Sequence, residues 1–220
     1  GQWTEWYENG NKKSEGVYKG TLGKKYDNWT VWHENGKKAS NGNYASGKKI
    51  GNWTLWYENG QKKSEGNYDE QEPIGDQTSW YESGNIKFES VELSESKEID
   101  TYWYENGQMQ SRGVRTDYFE SGLWTYWHET GHKKAEGFWG DKDEREGKWK
   151  FWNDQGQLIC SGIHSAWQGD GLWTFWDDEG AKIHEQEYRG AELLDVWKHL
   201  RSEGCSEERI ELYKELIFNL

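Results

Sequence analysis

The stretch His128-Glu129-Thr130-Gly131-His132 spells H-E-x-x-H, the one short segment carrying the ingredients of a metal centre. On a helix this spacing puts two imidazoles on one face as zinc ligands, with the carboxylate beside them as a general base. The reading depends on the helix, and the surrounding sequence argues against one. Gly131 falls where glycine recurs along the whole chain, between an aromatic run and a polar run. That pattern marks a β-hairpin turn. In a two-residue turn His128 faces Lys133 and His132 faces Glu129, so the imidazoles point to opposite faces of the sheet. No metal and no cofactor is therefore assigned. Elsewhere no Ser-His-Asp or Cys-His set converges, and no glycine loop precedes a helix to cradle phosphate. Cys160 and Cys205 lie in segments of different kinds, with a spacing that fits neither a disulfide framework nor a metal site. The residues point to a protein without catalysis.

The element that positions everything else is a repeated hairpin, clearest from Trp53 to Tyr68. Aromatic and β-branched residues run up to Asn59-Gly60, and a polar strand returns through Gly66 to Tyr68. Asn-Gly predicts a type I′ turn. With that turn Glu58 faces Gln61, Tyr57 faces Lys62 and Trp56 faces Lys63. The same register sets Trp53 opposite Gly66, an indole covering a strand glycine. The second Trp of the unit recurs as Trp6, Trp32, Trp56, Trp80, Trp103, Trp127, Trp152 and Trp176, 23 to 26 residues apart. Two positions later all eight copies have a carboxylate, from Glu8 and Glu34 to Asp154 and Asp178. A first Trp stands three residues earlier in six copies, so either both faces carry aromatics or a bulge intervenes. Eight hairpins in series predict a meander of about 16 strands, roughly 75 Å long at ~4.8 Å per strand.

Composition alone would suggest disorder, since 32% of the 220 residues are hydrophobic, 30% are charged and the net charge is −13. Seventeen Trp residues overturn that, because each buried aromatic removes on the order of 150–250 Å² from water. The acidity excludes a nucleic-acid backbone as partner and favours a basic protein. No stretch approaches the ~18 apolar residues of a membrane span. The chain begins Gly1-Gln2-Trp3, inside a repeat and without Met. An upstream segment is thus expected to have been processed away or left out. Compartment stays open, with the cytoplasm favoured and a secreted or cell-surface location as the alternative.

Regularity lapses between Pro73 and Asp100. The first Trp is replaced by Gln77 in the fourth repeat and Asp100 in the fifth, and Ser90 stands where Gly66 does. The covering indole and its glycine are expected to have been lost together, at a joint or at a partner contact. The repeats occupy residues 1–189. Over 190–220 Leu193, Trp197 and Leu200, then Ile210, Tyr213, Ile217 and Leu220, recur at helical spacing. This predicts a short helical hairpin that caps the open edge of the sheet, with homo-oligomerisation through these helices as the alternative.

The unit Gly-x-Trp-x-x-Trp-Tyr-x-Asn-Gly, followed by Gly-x-Tyr, resembles MORN-type repeats in their bacterial variant form, over about Trp3 to Tyr188. The resemblance implies a mainly β fold, an elongated single-sheet meander of about eight MORN-like hairpins with a helical cap. It also implies a protein-binding scaffold, and the variant is similar to the YwqK family of antitoxins that neutralise a partner toxin. The expected function is a non-catalytic antitoxin or immunity-type scaffold. Trp32, Trp56, Trp80, Trp103 and Trp127 are its candidate anchors, with Glu58, Glu82 and Glu105 as candidate steering charges for a basic partner. The alternatives are a cell-wall or glycan-binding module, whose Trp rows stack on sugars, and a self-assembling structural scaffold.

Overall fold

A computed structural model describes residues 1–142, 144–165, 168–189 and 196–218. Over these residues the chain is an open antiparallel sheet of sixteen strands in strict sequence order, followed by two short helices. It divides into two compact units, residues 1–92 with 105–107, and residues 93–104 with 108–220. Leu193 and Leu220 of the expected helical pattern lie outside the described residues.

The first unit holds β1 (Gln2–Trp6), β2 (Lys12–Lys19), β3 (Lys24–Trp32), β4 (Lys38–Ala45), β5 (Lys48–Trp56), β6 (Lys62–Asp69), β7 (Glu72–Trp80) and most of β8 (Ile86–Ser94). Its turns correct the sequence reading. At Asn59-Gly60 the amide of Gly60 donates to Tyr57 O, that of Tyr57 donates to Gln61 O, and only Gly60 has positive φ, at 92°. This is a three-residue loop ending in a glycine bulge, not a type I′ turn. The extra residue shifts the register by one, so Trp56 pairs with Lys62 while Trp53 still pairs with Gly66. Two-residue turns with two positive φ values occur at the other end of the hairpins, at Ser46-Gly47 and Glu70-Gln71.

A second irregularity sets up the core. Opposite Gly42, β5 carries two extra residues, beginning at Gly51 with φ 63°. The bulge swings Trp53 back over the preceding strand. Its indole therefore covers Gly42, not Gly66. A Cβ on Gly42 would sit 2.2 Å from the Trp53 ring. The indole N–H donates to Asn43 O at 3.1 Å, while Tyr44 meets the ring edge-on at 4.9 Å and the Lys49 ammonium lies 4.7 Å from its centroid. Trp29 repeats the arrangement with Gly16, Val17, Tyr18 and Lys25. The roofing keeps both indoles at most 3% exposed without a second layer of secondary structure.

The fourth repeat lacks the covering indole, yet the glycine beneath that position, Gly66 of the third repeat, is kept. Gln77 lies over Gly66, and its amide donates to Asn67 O at 3.1 Å, the carbonyl equivalent to the one that Trp53 uses. The expectation that glycine and cover vanish together is corrected by this offset of one strand.

The second unit holds β9 (Lys97–Trp103), β10 (Met109–Thr116), β11 (Phe119–Trp127), β12 (Lys133–Trp139), β13 (Arg145–Trp152), β14 (Leu158–Ser165), β15 (Gln168–Trp176) and β16 (Lys182–Tyr188). α1 (Val196–Ser202) and α2 (Glu207–Phe218) follow. The α2 start is as read, with Ser206 Oγ accepting from Arg209 N and Glu207 and Glu208 in the first turn. The helices pack on a face of the sheet, where the sequence reading sent them to its edge. Val196, Trp197, Leu200, Ile210, Tyr213, Leu216 and Ile217 are buried with Trp124, Trp149, Phe151, Trp173 and Phe175 in one apolar cluster. The physical reason is aromatic area. In the first unit, Val31 and Leu55 follow the covering indole two residues on; in the second, Tyr126, Phe151 and Phe175 occupy that place and stack with Trp149 and Trp173 into a continuous row. Such a row needs a second layer to leave water.

Candidate functional site

Strand alternation separates two sets of tryptophans. The covering, inner ones are buried; the outer ones, second in each repeat, point to the opposite face and stay partly exposed at Trp32, Trp56, Trp80, Trp103 and Trp127. Three outer rings of the first unit receive a lysine from the preceding repeat. Lys12 lies 5.5 Å from the Trp32 centroid, Lys38 5.9 Å from Trp56 and Lys62 5.4 Å from Trp80. Lys12 and Lys62 also pair with Glu15 and Glu65 three residues on. The lysine place is taken by Ile86 opposite Trp80 and by Met109 opposite Trp103, so the charge pattern lapses in mid-chain and returns at Lys133, opposite Trp127 and 5.6 Å from the Trp152 centroid.

Glu58, Glu82 and Glu105 are exposed at the first position of the hairpin tips. Their backbone carbonyls are engaged by the preceding tip, with Asn35, Asn59 and Asn85 each donating at 2.8 Å to Glu58, Glu82 and Glu105 respectively. The side-chain carboxylates thus project from a rigid frame. The structure brings Trp32, Trp56, Trp80, Glu58, Glu82 and Glu105 together in the first unit and places Trp103 and Trp127 in the second.

The histidines of the H-E-x-x-H segment have other work. The segment is a turn, with His128 N donating to His132 O, and its two rings serve two backbone carbonyls of the next hairpin. His128 Nε2 meets Trp152 O at 2.9 Å, and His132 Nδ1 meets Asp154 O at 2.8 Å. His33 Nε2 contacts Trp56 O in the same way at 2.9 Å. Tyr7, Tyr57 and Tyr104 donate through their hydroxyls to Trp32 O, Trp80 O and Trp127 O, each at 2.8 Å. The expected His128–Lys133 and His132–Glu129 facings are replaced because the loop has three residues, with Trp127 pairing to Lys133. Among the described residues no group of three His, Cys, Asp or Glu is placed to hold a metal ion.

Sequence reasoning placed Tyr68 in the unit but did not follow its column, fifteen places after each inner position. In the first unit these are Tyr18, Tyr44, Tyr68 and Glu92; further on they become Arg115, Trp139, His164 and Tyr188. Arg115 and Asp100 replace the Tyr–Trp pair by a salt bridge of 3.2 Å, with Asp100 fully buried and Tyr102 donating to the same oxygen. Burial and the neighbouring Asp100 carboxylate push the Tyr102 phenol up to about 12. His164 is buried between Trp149 and Trp173, with neither nitrogen hydrogen-bonded, and desolvation, aided by Arg145, lowers its pKa to about 3. Aligning the repeats beyond Gly66 to Tyr68 supplies the signal that locates all of them.

Residues 1–19, 49–70 and 73–91 match the family model described as a MORN repeat variant. The chain carries MORN-type repeats. No curated protein matches this MORN-type chain. Among solved structures, a mutant of S. aureus TarM in complex with fondaparinux, alpha-GlcNAc-glycerol and UDP is similar over 40% of the MORN-type chain and 18% of its own length, at 10% identity and a TM-score of 0.30. Another TarM structure is similar over 60% of this chain and 22% of its own, at 12% identity and a TM-score of 0.25. The TcdB2-TccC3-TEV structure is similar over 83% and 12%, at 8% identity and a TM-score of 0.21. The chain spans about a fifth or less of the length of these structures, and likenesses this low carry no argument about activity.

Proposed function

We propose that this MORN-type repeat protein is a non-catalytic binding scaffold of the antitoxin or immunity type, which holds a basic protein partner along its outer tryptophans. The supporting observation is the division of labour between the two aromatic sets. Inner indoles with their Tyr and Lys roofs account for the core of the first unit, while Trp32, Trp56 and Trp80 lie outside it, partly exposed beside the exposed Glu58 and Glu82. Amphipathic rings held rigid by strands are effective anchors, and a chain of net charge −13 attracts a basic protein. Trp103 and Trp127 continue the same register in the second unit.

A glycan-binding reading is less well supported, because a lysine ammonium already occupies the vicinity of each outer ring in the first unit. Self-assembly through the C-terminal helices is also less well supported, since their apolar side chains are spent on their own sheet.

The test is co-purification with the product of the neighbouring gene, followed by titration calorimetry. Trp56→Ala and Trp80→Ala are expected to weaken the complex at least tenfold each while the thermal transition of the protein is retained. Absence of any complex, or of relief from that product's toxicity, removes the antitoxin reading; a complex indifferent to both substitutions removes the tryptophan row.

A further inference from the structure

We propose that the second unit carries a separate docking surface for a basic amphipathic helix of a protein partner, built from Leu123, Phe138, Ile163 and Leu172. All four are exposed, at 49%, 53%, 41% and 52%, yet each adjoins a buried residue or a glycine of the helix-covered face. Leu123 and Leu172 precede the buried Trp124 and Trp173, Phe138 lies between Gly137 and Trp139, and Ile163 precedes His164. Alternation therefore turns them to the face opposite α1 and α2.

The first unit shows what these register positions hold when nothing is asked of them. They are the pairs Gln2–Val17, Asn28–Asn43 and Asn52–Asn67, amide side chains at every place but Val17. In the second unit they become Leu123–Phe138, Lys148–Ile163 and Leu172–Glu187. The backbone register is the same and asparagine satisfies it, so the fold does not require apolar side chains here. Lys148 interrupts the row with an aliphatic stem that adds apolar surface while its ammonium reaches water.

Geometry and charge select the occupant. From β11 to β15 the row crosses four strand spacings, roughly 19 Å, at a pitch of ~4.8 Å that nearly matches the ~5.4 Å turn of an α-helix. About 13 residues of helix laid across the strands put one apolar side chain near each strand. The reverse face of the same strands already receives Ile210, Tyr213 and Ile217 of α2 in this manner. Glu146 and Glu187, exposed register partners of Phe138 and Leu172, rim the row and call for lysine or arginine on the helix flanks.

The probe is a fluorescent 14-residue Leu/Lys peptide with an apolar face, compared by anisotropy with a scrambled peptide of equal composition and no such face. Binding at least tenfold tighter for the amphipathic peptide is expected, falling to the scrambled level in a Phe138→Ser, Ile163→Thr variant. Leu123→Lys, which adds charge without removing other contacts, gives the same loss through repulsion. Trp56→Ala leaves this binding unchanged, which separates the surface from the tryptophan row. Equal affinity for the two peptides, or indifference to both sets of substitutions, overturns the proposal. Self-association that these substitutions abolish assigns the row to a second copy of the chain and also overturns it.

Discussion

Acid should loosen the second unit through His164. The ring sits between Trp149 and Trp173 with no polar partner, and its pKa in the folded state is about 3 against an ordinary 6.5. Below the unfolded value the unfolded chain takes up a proton that the folded one refuses. Stability from this group is complete above pH 6.5 and falls away as the pH drops toward 3. The loss is about 1.4 kcal/mol per pH unit, hence about 2 kcal/mol between about pH 7.5 and pH 5. His184, whose pKa is lowered by burial and by the neighbouring His199, adds a loss of the same sign. His164→Phe keeps a ring in the slot and removes the titration, so the difference between the two proteins isolates one group. Urea melts followed by tryptophan fluorescence, repeated across this pH range, should show the wild type losing about 2 kcal/mol more than the variant. Parallel pH profiles would refute the argument, because they would mean that water or an acceptor reaches the imidazole.

The glycines beneath the inner positions should differ in tolerance. Gly42→Ala drives a Cβ to 2.2 Å from the rigid Trp53 ring and should destabilise the first unit by about 2 kcal/mol or more, whereas Gly66→Ala meets only the end of a Gln77 amide and should cost clearly less by thermal melting. Arg115→Ala leaves Asp100 buried without its cation and should cost about 3–5 kcal/mol in chemical denaturation. Tyr213→Phe removes one of two donors to Trp176 O and should cost about 1 kcal/mol in the same assay, with Arg209 still bonded to that carbonyl.

The hairpin periodicity was legible because it rests on residue types with narrow conformational uses. Gly60 needs positive φ and Trp53 needs a small neighbour; the first need recurs in every repeat and the second in most of them. His33 and His128 stand at the Tyr57 position of their repeats, where imidazole and phenol reach the same carbonyl. What escaped the sequence was offset. An Asn-Gly pair is compatible with two-residue and three-residue loops alike, and the choice moves every facing by one position. A bulge at Gly51 moved the indole to the neighbouring strand, which no alternation rule reveals. The outer tryptophans and tip carboxylates were visible as candidates because exposed positions are conspicuous in a repeat. His164 was not, since one histidine carries no periodicity of its own and becomes interpretable only once the Tyr68 column is followed to the end.

The carbonyl of Trp176 gives the array a way to stop. Asn153, at the Tyr57 position of the seventh repeat, spends its side chain on Gln155 and Gln157 within its own turn. Trp176 O is instead met by the Tyr213 hydroxyl at 2.9 Å and the Arg209 guanidinium at 2.8 Å, both from α2. A helix thus imitates the missing neighbour, and it recognises the last hairpin by an acceptor that the preceding repeat does not claim. Gln186, at the place of the covered glycine, bars a further indole from the outer strand. Termination is therefore written locally, in a few residues of the last two repeats. Hairpins can be duplicated or deleted well upstream without disturbing these contacts, which makes the reach of the array easy to tune by recombination.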